Sequence, residues 1–209
     1  DRLGQDRVRI WTRSGRVEAR VFDGAEGGRR VEISQPVGTV EPLHNVEDRT
    51  AEILSVLGIT AGELALRPIS NARTSRVKTL VPLLDPAVLD GLDPDFARVE
   101  SLCERLGSTG LYPYAVSDLD VQVFDARQFP KSSGYPEDAA TGIAATALAF
   151  GLLDVGLVEP TNRPILVRQG RAMGRPSQLS IRFELTGSAI RGCWLSGAVE
   201  HVLGPGGDT

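Results

Sequence analysis

The sequence predicts an α+β fold in which strands curl around one buried helix, and three observations carry that prediction. Strand-like alternation fills the first third of the chain. The segment 143–155 has helical length and is apolar on every face, with Thr146 and Asp154 as exceptions, so it has to be surrounded. Strand patterns resume after that helix without the strand-by-helix alternation that layered βαβ folds require.

Taken in order, Arg7 to Thr12 alternates with Val8 and Ile10 on one face, and Ser14-Gly15 makes a turn. Val17, Ala19 and Val21 continue the alternation, and Val31 and Ile33 give a third run, so the start reads as a meander with one wet face. From Gln35 to Glu47 the chain is rich in Pro, Gly and polar residues without period. That composition predicts a connection, with a domain boundary near residue 48. Asp48 to Leu57 predicts a short helix with Ala51, Leu54 and Leu57 on one side, stopped at Gly58. Two strands are expected within Leu64 to Leu84, the second from Val77 to Leu83. In DPDFARVESLCERLG, Asp93 can cap and Pro94 fits a first turn. Phe96, Val99, Leu102, Cys103 and Leu106 form the buried stripe, and Gly107 ends the helix. Strands are expected at Gly110–Val116 and Val121–Phe129, and after the buried helix at Pro164–Arg168 and Leu179–Leu185.

Composition sets the outer limits. The 209 residues carry 23 Lys plus Arg against 27 Asp plus Glu, a formal net charge of −4, with 41% hydrophobic and 24% charged residues. This balance excludes disorder and fibre and leaves room for one large or two modest domains. No apolar run reaches the roughly 18 to 20 residues of a membrane span, so no membrane partner is expected. Only Lys78 and Lys131 of the 23 basic residues are lysines. The arginines are scattered and the net charge is acidic, which argues against nucleic acid as a partner. Cys103 and Cys193 have neither metal-ligand spacing nor the density of a disulfide framework, so no metal site is expected and the predicted compartment is reducing and cytoplasmic.

Chemistry concentrates ahead of the buried helix, where Glu137 and Asp138 precede Thr141-Gly142. A helix start offers unpaired backbone N–H groups and partial positive charge for a carboxylate or oxyanion. Gly142 would let a ligand approach the backbone, and a carboxylate beside such a site can act as general acid or base. The alternative reading of the same residues is a cap, with Asp138 or Thr141 bonded to the first turn.

The strings RQFPKSSGYPEDAATGIAATAL (127–148) and RQGRAMGRPSQLSI (168–181) resemble the two signature segments of the PhzF-like family, the phenazine-biosynthesis isomerases and their relatives. That family shows F-x-P, then E-D-P-A-T-G-S-A opening a buried helix, then Q-G-x-x-x-G-R-P-S. The ending GCWLSGAVEHVLGPG is similar to the family's close, and the resemblance covers essentially the whole chain. It implies a diaminopimelate-epimerase-like fold: two pseudo-symmetric halves, each a curved mixed sheet around a central helix, with the active site between the two helix starts. It also implies proton-shifting isomerisation without metal or organic cofactor. Asp138 matches the acidic residue of the motif. Thr141, Gly142 and the N–H of Ile143 match the amides that receive a substrate carboxylate.

Three departures accompany the resemblance. The family's N-terminal catalytic Glu and its G-H-P-T helix start have no counterpart here; Ile143 stands where Ser is common; Ala139 replaces Pro. Residues 1–48, completed by 193–209, would form a partial first half, and 49–192 the second half with its buried helix at 141–155. Segment 54–192 holds 139 residues against 65 for the first-half segments, leaving that half about 74 residues short if the two match in size. An N-terminal fragment or second chain completing the fold is therefore an expected partner, and a homodimer stays open.

Other candidates have plainer readings. His44 and His201 are expected at the surface, and Arg175 and Ser177 are expected to shape a turn. Arg73, Arg76 and Lys78 form either a solvated strand end or, with Arg73 foremost, a recognition site for an anionic substrate. Cys193 does not match the catalytic cysteines of related epimerases. The sequence thus predicts a cofactor-independent isomerase of a small carboxylic acid in specialised, antibiotic-type metabolism. The alternative is a catalytically inactive binding or scaffold protein of the same fold, or one part of a split enzyme.

Overall fold

The computed structural model of the chain describes residues 7–12, 15–23 and 29–198; the expected turn residue Ser14, His201 and the closing segment beyond residue 198 lie outside them. Strands β1 (Arg7–Thr12), β2 (Gly15–Asp23) and β3 (Arg29–Gln35) form the expected antiparallel meander. The registers set Val8 opposite Ala19, Ile10 opposite Val17, Ala19 opposite Ile33 and Val21 opposite Val31. One face of the meander is therefore apolar across three strands.

The segment expected as a mere connection contains β4 (Thr39–Pro42), which pairs with β5 (Ser70–Arg73). Local periodicity does not announce a four-residue edge strand whose partner lies some thirty positions away. Helix α1 (Val46–Leu57) starts two residues earlier than expected and ends at Gly58, whose φ of 71° suits glycine. Strand β6 (Val77–Pro82) leads into an unforeseen one-turn helix, α2 (Pro86–Asp90). Its start is well signed, since the Asp85 carboxylate accepts from the amides of Ala87 and Val88 at 2.7 and 3.0 Å with Pro86 in the first turn. Helix α3 (Phe96–Leu106) begins after Asp93 and Pro94, so Asp93 is not its cap; Gly107 ends it as expected.

Strand β7 (Gly110–Asp118) is followed by β8 (Val123–Ala126) and the short β9 (Phe129–Pro130). The single strand expected over 121–129 is thus broken, because Phe129 pairs with Leu111 instead of continuing the β8 ladder. Helix α4 (Gly142–Asp154) occupies the expected buried position, followed by β10 (Ile165–Gln169), β11 (Ser177–Thr186) and β12 (Ala189–Ala198). Among the described residues the strands form one sheet in the order β1-β2-β3-β12-β11-β10-β8-β7-β6-β5-β4, with β9 beside β7. The β8–β10 and β6–β7 pairs are parallel and the others antiparallel.

The sheet bends around α4, whose residues from Ala144 to Leu152 are buried. Small side chains make the close approach feasible: a Cβ on Gly151 would lie 2.2 Å from Leu80, and one on Gly38 would fall 2.4 Å from the Phe150 ring. Thr146, the polar exception in the helix, donates to the Ile143 carbonyl at 3.0 Å and meets the Thr74 hydroxyl at 3.2 Å. Its hydroxyl is thus satisfied within the core. A second core on the opposite face of β6 and β7 packs Ile53, Val56 and Leu57 of α1 and Leu102 and Cys103 of α3 against Val81 and Leu111. With Leu80 and Tyr112 facing α4, both faces of these central strands are covered. That explains the apolar runs at 80–83 and 110–116.

Candidate active site

The loop before α4 is fixed from both sides. Asp138 forms an isolated antiparallel bridge with Gln128, donating its N–H to the Gln128 carbonyl at 3.0 Å. Glu137 turns inward and accepts two bonds from Arg127, at 2.9 and 2.7 Å, with both side chains buried. The remaining Arg127 nitrogen donates to the carbonyls of Leu89 and Leu92 at 3.2 and 2.8 Å. Of the two acidic neighbours, Glu137 therefore anchors the loop, and Asp138 is left for other work.

The second signature segment closes over the first. Ser177 donates its hydroxyl to the Ala139 carbonyl at 2.7 Å, and the Gln169 amide donates to the Asp138 carbonyl at 2.7 Å. Gly170 adopts a φ of +75°, and a Cβ there would sit 2.2 Å from the Arg175 carbonyl oxygen and 2.9 Å from that of Ala139. Only glycine fits such a position. Segments 127–148 and 168–181 are one structural unit.

At the helix start, the Thr141 hydroxyl donates to Asp138 Oδ2 at 2.6 Å. Thr141 holds the N-cap position yet makes no side-chain cap bond. Neither of the capping arrangements that the sequence allows is adopted. Among the described residues no acceptor is found for the Gly142 and Ile143 amides, which face the positive end of a 13-residue helix. Gly142 itself is packed closely, since a Cβ on it would lie 2.3 Å from Leu195 of β12. Its smallness serves the fit between helix and sheet.

Ile143 and Arg73 line one cleft of about 920 Å³ together with Thr74, Arg191 and Trp194; Asp138 is not among its lining residues. The structure thus brings Asp138 and Thr141 together by a hydrogen bond and Ile143 and Arg73 together in the lining of one cleft. The three basic residues 73, 76 and 78 do not act as a cluster. Arg73 and Arg76 are exposed, whereas Lys78 is 5% exposed, so neither a solvated strand end nor a cleft group describes it. His44 is exposed, as expected.

Lys78 has no carboxylate within ion-pair distance among the described residues, and its Nζ reaches only the Thr109 carbonyl at 3.4 Å. Its pKa falls from 10.5 to about 8, chiefly through burial and in part through Arg76, with Cys103 and Asp138 offsetting some of the fall. As pH falls through 10.5 the unfolded chain takes up this proton first. The folded state therefore loses stability down to about pH 8, by roughly 3 kcal/mol at about 1.4 kcal/mol per pH unit. Lys78→Met is expected to be more stable than the parent at pH 7, with an advantage that shrinks between pH 8 and 10.5. Urea unfolding of both proteins across that range checks this, and a constant difference would contradict it.

Two residues of the site were not foreseen. Gln169, buried beside Asp138, also donates to Thr141 Oγ1 at 3.1 Å, and Tyr112 donates its hydroxyl to Gln169 Oε1 at 2.9 Å. Burial pushes the Tyr112 phenol well above its ordinary pKa, and Asp138 adds to the rise, so it remains a donor at neutral pH. Gln169 stands inside the quoted signature, but nothing local marks its partner 57 positions earlier. A tyrosine within the apolar run at 110–116 was the available signal, since a buried phenol needs an acceptor.

A family model described as phenazine biosynthesis-like protein, PhzC-PhzF, matches residues 1–198. An uncharacterized isomerase of Deinococcus radiodurans is 33% identical over 200 residues, covering 93% of this chain and 64% of the relative. Trans-2,3-dihydro-3-hydroxyanthranilate isomerase of Pseudomonas aeruginosa is 31% identical over 202 residues, covering 92% and 64%. The chain thus spans just under two thirds of the length of these two curated relatives. The crystal structure of a Bacillus anthracis phenazine biosynthesis protein of the PhzF family superposes with a TM-score of 0.79 at 16% identity, over 94% of this chain and 67% of that one. That likeness speaks for the fold alone. The match along nearly the whole sequence agrees with two signature segments that interlock around one helix start, and the chain belongs to the PhzC-PhzF family of phenazine biosynthesis-like proteins, an isomerase-type family with the diaminopimelate-epimerase-like α+β fold.

Proposed function

We propose that this chain supplies one half of the active site of a cofactor-independent isomerase that moves a proton on a small carboxylic acid. The observation that carries the reading is the Asp138 carboxylate, held by the Thr141 hydroxyl at 2.6 Å immediately ahead of a helix start that no side chain caps. In this reading the substrate carboxylate accepts from the amides of Thr141, Gly142 and Ile143. Asp138 takes a proton from one carbon, or returns it to another, as general base and acid. Arg73 approaches from the cleft and attracts the anionic substrate. Ile143 presents an apolar surface where a hydroxyl is common, which favours a substrate with an apolar group on that side. The isomerase activity of the Pseudomonas aeruginosa relative supports a place in specialised metabolism.

The second acid/base group would come from additional polypeptide, either an N-terminal segment or a second chain. The apolar face of the meander supports this. Val8, Ile10, Val17, Val21, Val31 and Ile33 belong to neither core among the described residues, although Ile33 pairs with Leu195, which packs against the core around α4. Both cysteines are buried and unpaired, which suits a reducing, cytoplasmic setting. No helix among the described residues is long and apolar enough to cross a membrane.

The test is solvent-hydrogen exchange. Trans-2,3-dihydro-3-hydroxyanthranilate and other small unsaturated carboxylic acids are incubated in D₂O with the chain, alone and with the polypeptide encoded immediately upstream. Carbon-bound deuterium, read by NMR, is expected in at least one acid. Exchange with neither preparation, alongside measurable binding, would replace the isomerase reading with that of a binding protein.

A further inference from the structure

We propose that Gln169 is a positioning residue for Asp138, acting through Thr141 and itself set by Tyr112. This rests on the reading of Asp138 as an acid/base group. The direction of every bond in the network follows from one atom that can only accept. The Asp138 carbonyl lies 2.7 Å from one terminus of the Gln169 side chain. That terminus must be the NH₂ group, because the flipped amide would oppose two oxygens. Oε1 then faces Tyr112, whose hydroxyl is the donor at 2.9 Å. The second proton of the NH₂ group points to Thr141 Oγ1 at 3.1 Å. Thr141 is thereby an acceptor from Gln169, and its own proton is committed to Asp138 Oδ2 at 2.6 Å.

Tyr112 and Gln169 are 0% and 1% exposed, so water does not compete for these groups. A reversed or broken link would leave a buried polar atom unpaired, which the fold disfavours. The relay has a chemical consequence. Oδ2 is held by a fixed donor, while Oδ1 has no donor among the described residues and is the oxygen free to exchange a proton with substrate. Gln169 thus selects which carboxylate oxygen reacts and holds it in one orientation, without touching the substrate. The network also explains why Thr141 at the N-cap does not bond the first turn: its hydroxyl proton is directed backward, to Asp138.

The experiment compares deuterium incorporation, with the acids and preparations above, for Gln169→Met, Thr141→Val, Thr141→Ser and the double variant Gln169→Met/Thr141→Val. Gln169→Met is expected to lower turnover about 10- to 100-fold while KM changes less than about threefold, a fraction of the 10²- to 10⁴-fold that general acid/base catalysis supplies. The double variant is expected to lose no more than Thr141→Val alone, because the two residues act in series. Thr141→Ser, which keeps the hydroxyl, is expected to recover at least tenfold over Thr141→Val. Independent multiplicative losses, or a Gln169→Met change in KM alone, would reduce Gln169 to a structural role. Where Gln169→Met does not fold, Tyr112→Phe tests the same relay, with the Gln169 side-chain amide protons read by NMR. They are expected to be protected from solvent in the parent and to exchange at least tenfold faster in the variant; unprotected parent protons would overturn the relay. A loss on Asp138→Asn with none on Gln169→Met would sink the positioning role alone. A parent protein silent toward every acid would instead sink the isomerase reading and this role with it.

Discussion

Asp138→Asn is expected to lower solvent-deuterium incorporation into substrate by about 10²- to 10⁴-fold, the usual contribution of a positioned acid/base group, while leaving the folded structure in place. Asparagine has nearly the shape of aspartate, and its side-chain oxygen can still accept from the Thr141 hydroxyl. The bonds that fix this residue in the chain are made by its backbone, through the N–H to Gln128 and the carbonyl to Gln169. The variant should therefore unfold within about 1 kcal/mol of the parent, in the range of substitutions that break no buried network. The anchoring carboxylate is Glu137 next door, so a fall in stability is not a route to lost activity here. Unchanged exchange in Asp138→Asn, measured under saturating substrate, would remove Asp138 as the proton-moving group, whatever the rest of the site does.

The legible part of this fold is the part written in local pattern. Helix α4 stands out because a 13-residue segment with apolar residues all round can only be an enclosed helix. The hairpin strand β11 alternates because one face meets water and the other does not, and the meander β1–β3 alternates with an apolar face that is only partly buried among the described residues. The parts that escaped depend on distant pairing. Strand β4 is strand only because β5 lies beside it, and 121–129 breaks because Phe129 is drawn to Leu111 and to the Phe96 ring, 5.8 Å away. Helix α2 is different: Asp85-Pro86 is a complete start signal, but a helix of one turn shows no periodicity. At the site, the loop and helix start are readable as chemistry, but the choice of Asp138 over Glu137 comes from the family resemblance and not from the local pattern. The roles themselves are set by Arg127, between β8 and β9, and by Gln169 from β10, whose side-chain bonds to the loop only the fold makes. Lys78 shows the converse, since a lysine in a polar-looking string is buried on an interior strand, β6, between β5 and β7.

Arg127→Leu is expected to be the most damaging substitution to the frame of the site, costing about 3–5 kcal/mol because it leaves the buried Glu137 carboxylate without its partner. The guanidinium also serves the Leu89 and Leu92 carbonyls at the end of α2, so the same change orphans acceptors in a second element. At about 2–4 °C per kcal/mol for a chain of this size, the melting temperature should fall by roughly 6–20 °C. Removing both charges is a different experiment. In Arg127→Leu/Glu137→Leu no uncompensated ion remains, and replacement of a buried ion pair by apolar residues is often neutral or stabilising, so the double variant should recover most of the loss. It should not recover the site, because the bidentate bond holds residue 137 beside Asp138 in one orientation, whereas two leucines pack without a fixed direction. Urea unfolding and deuterium exchange on the three proteins separate these effects: stability regained without turnover means the ion pair is kept for the placement of Asp138. Stability and turnover regained together would mean that the backbone bridge to Gln128 and the Gln169 and Ser177 bonds suffice to place it.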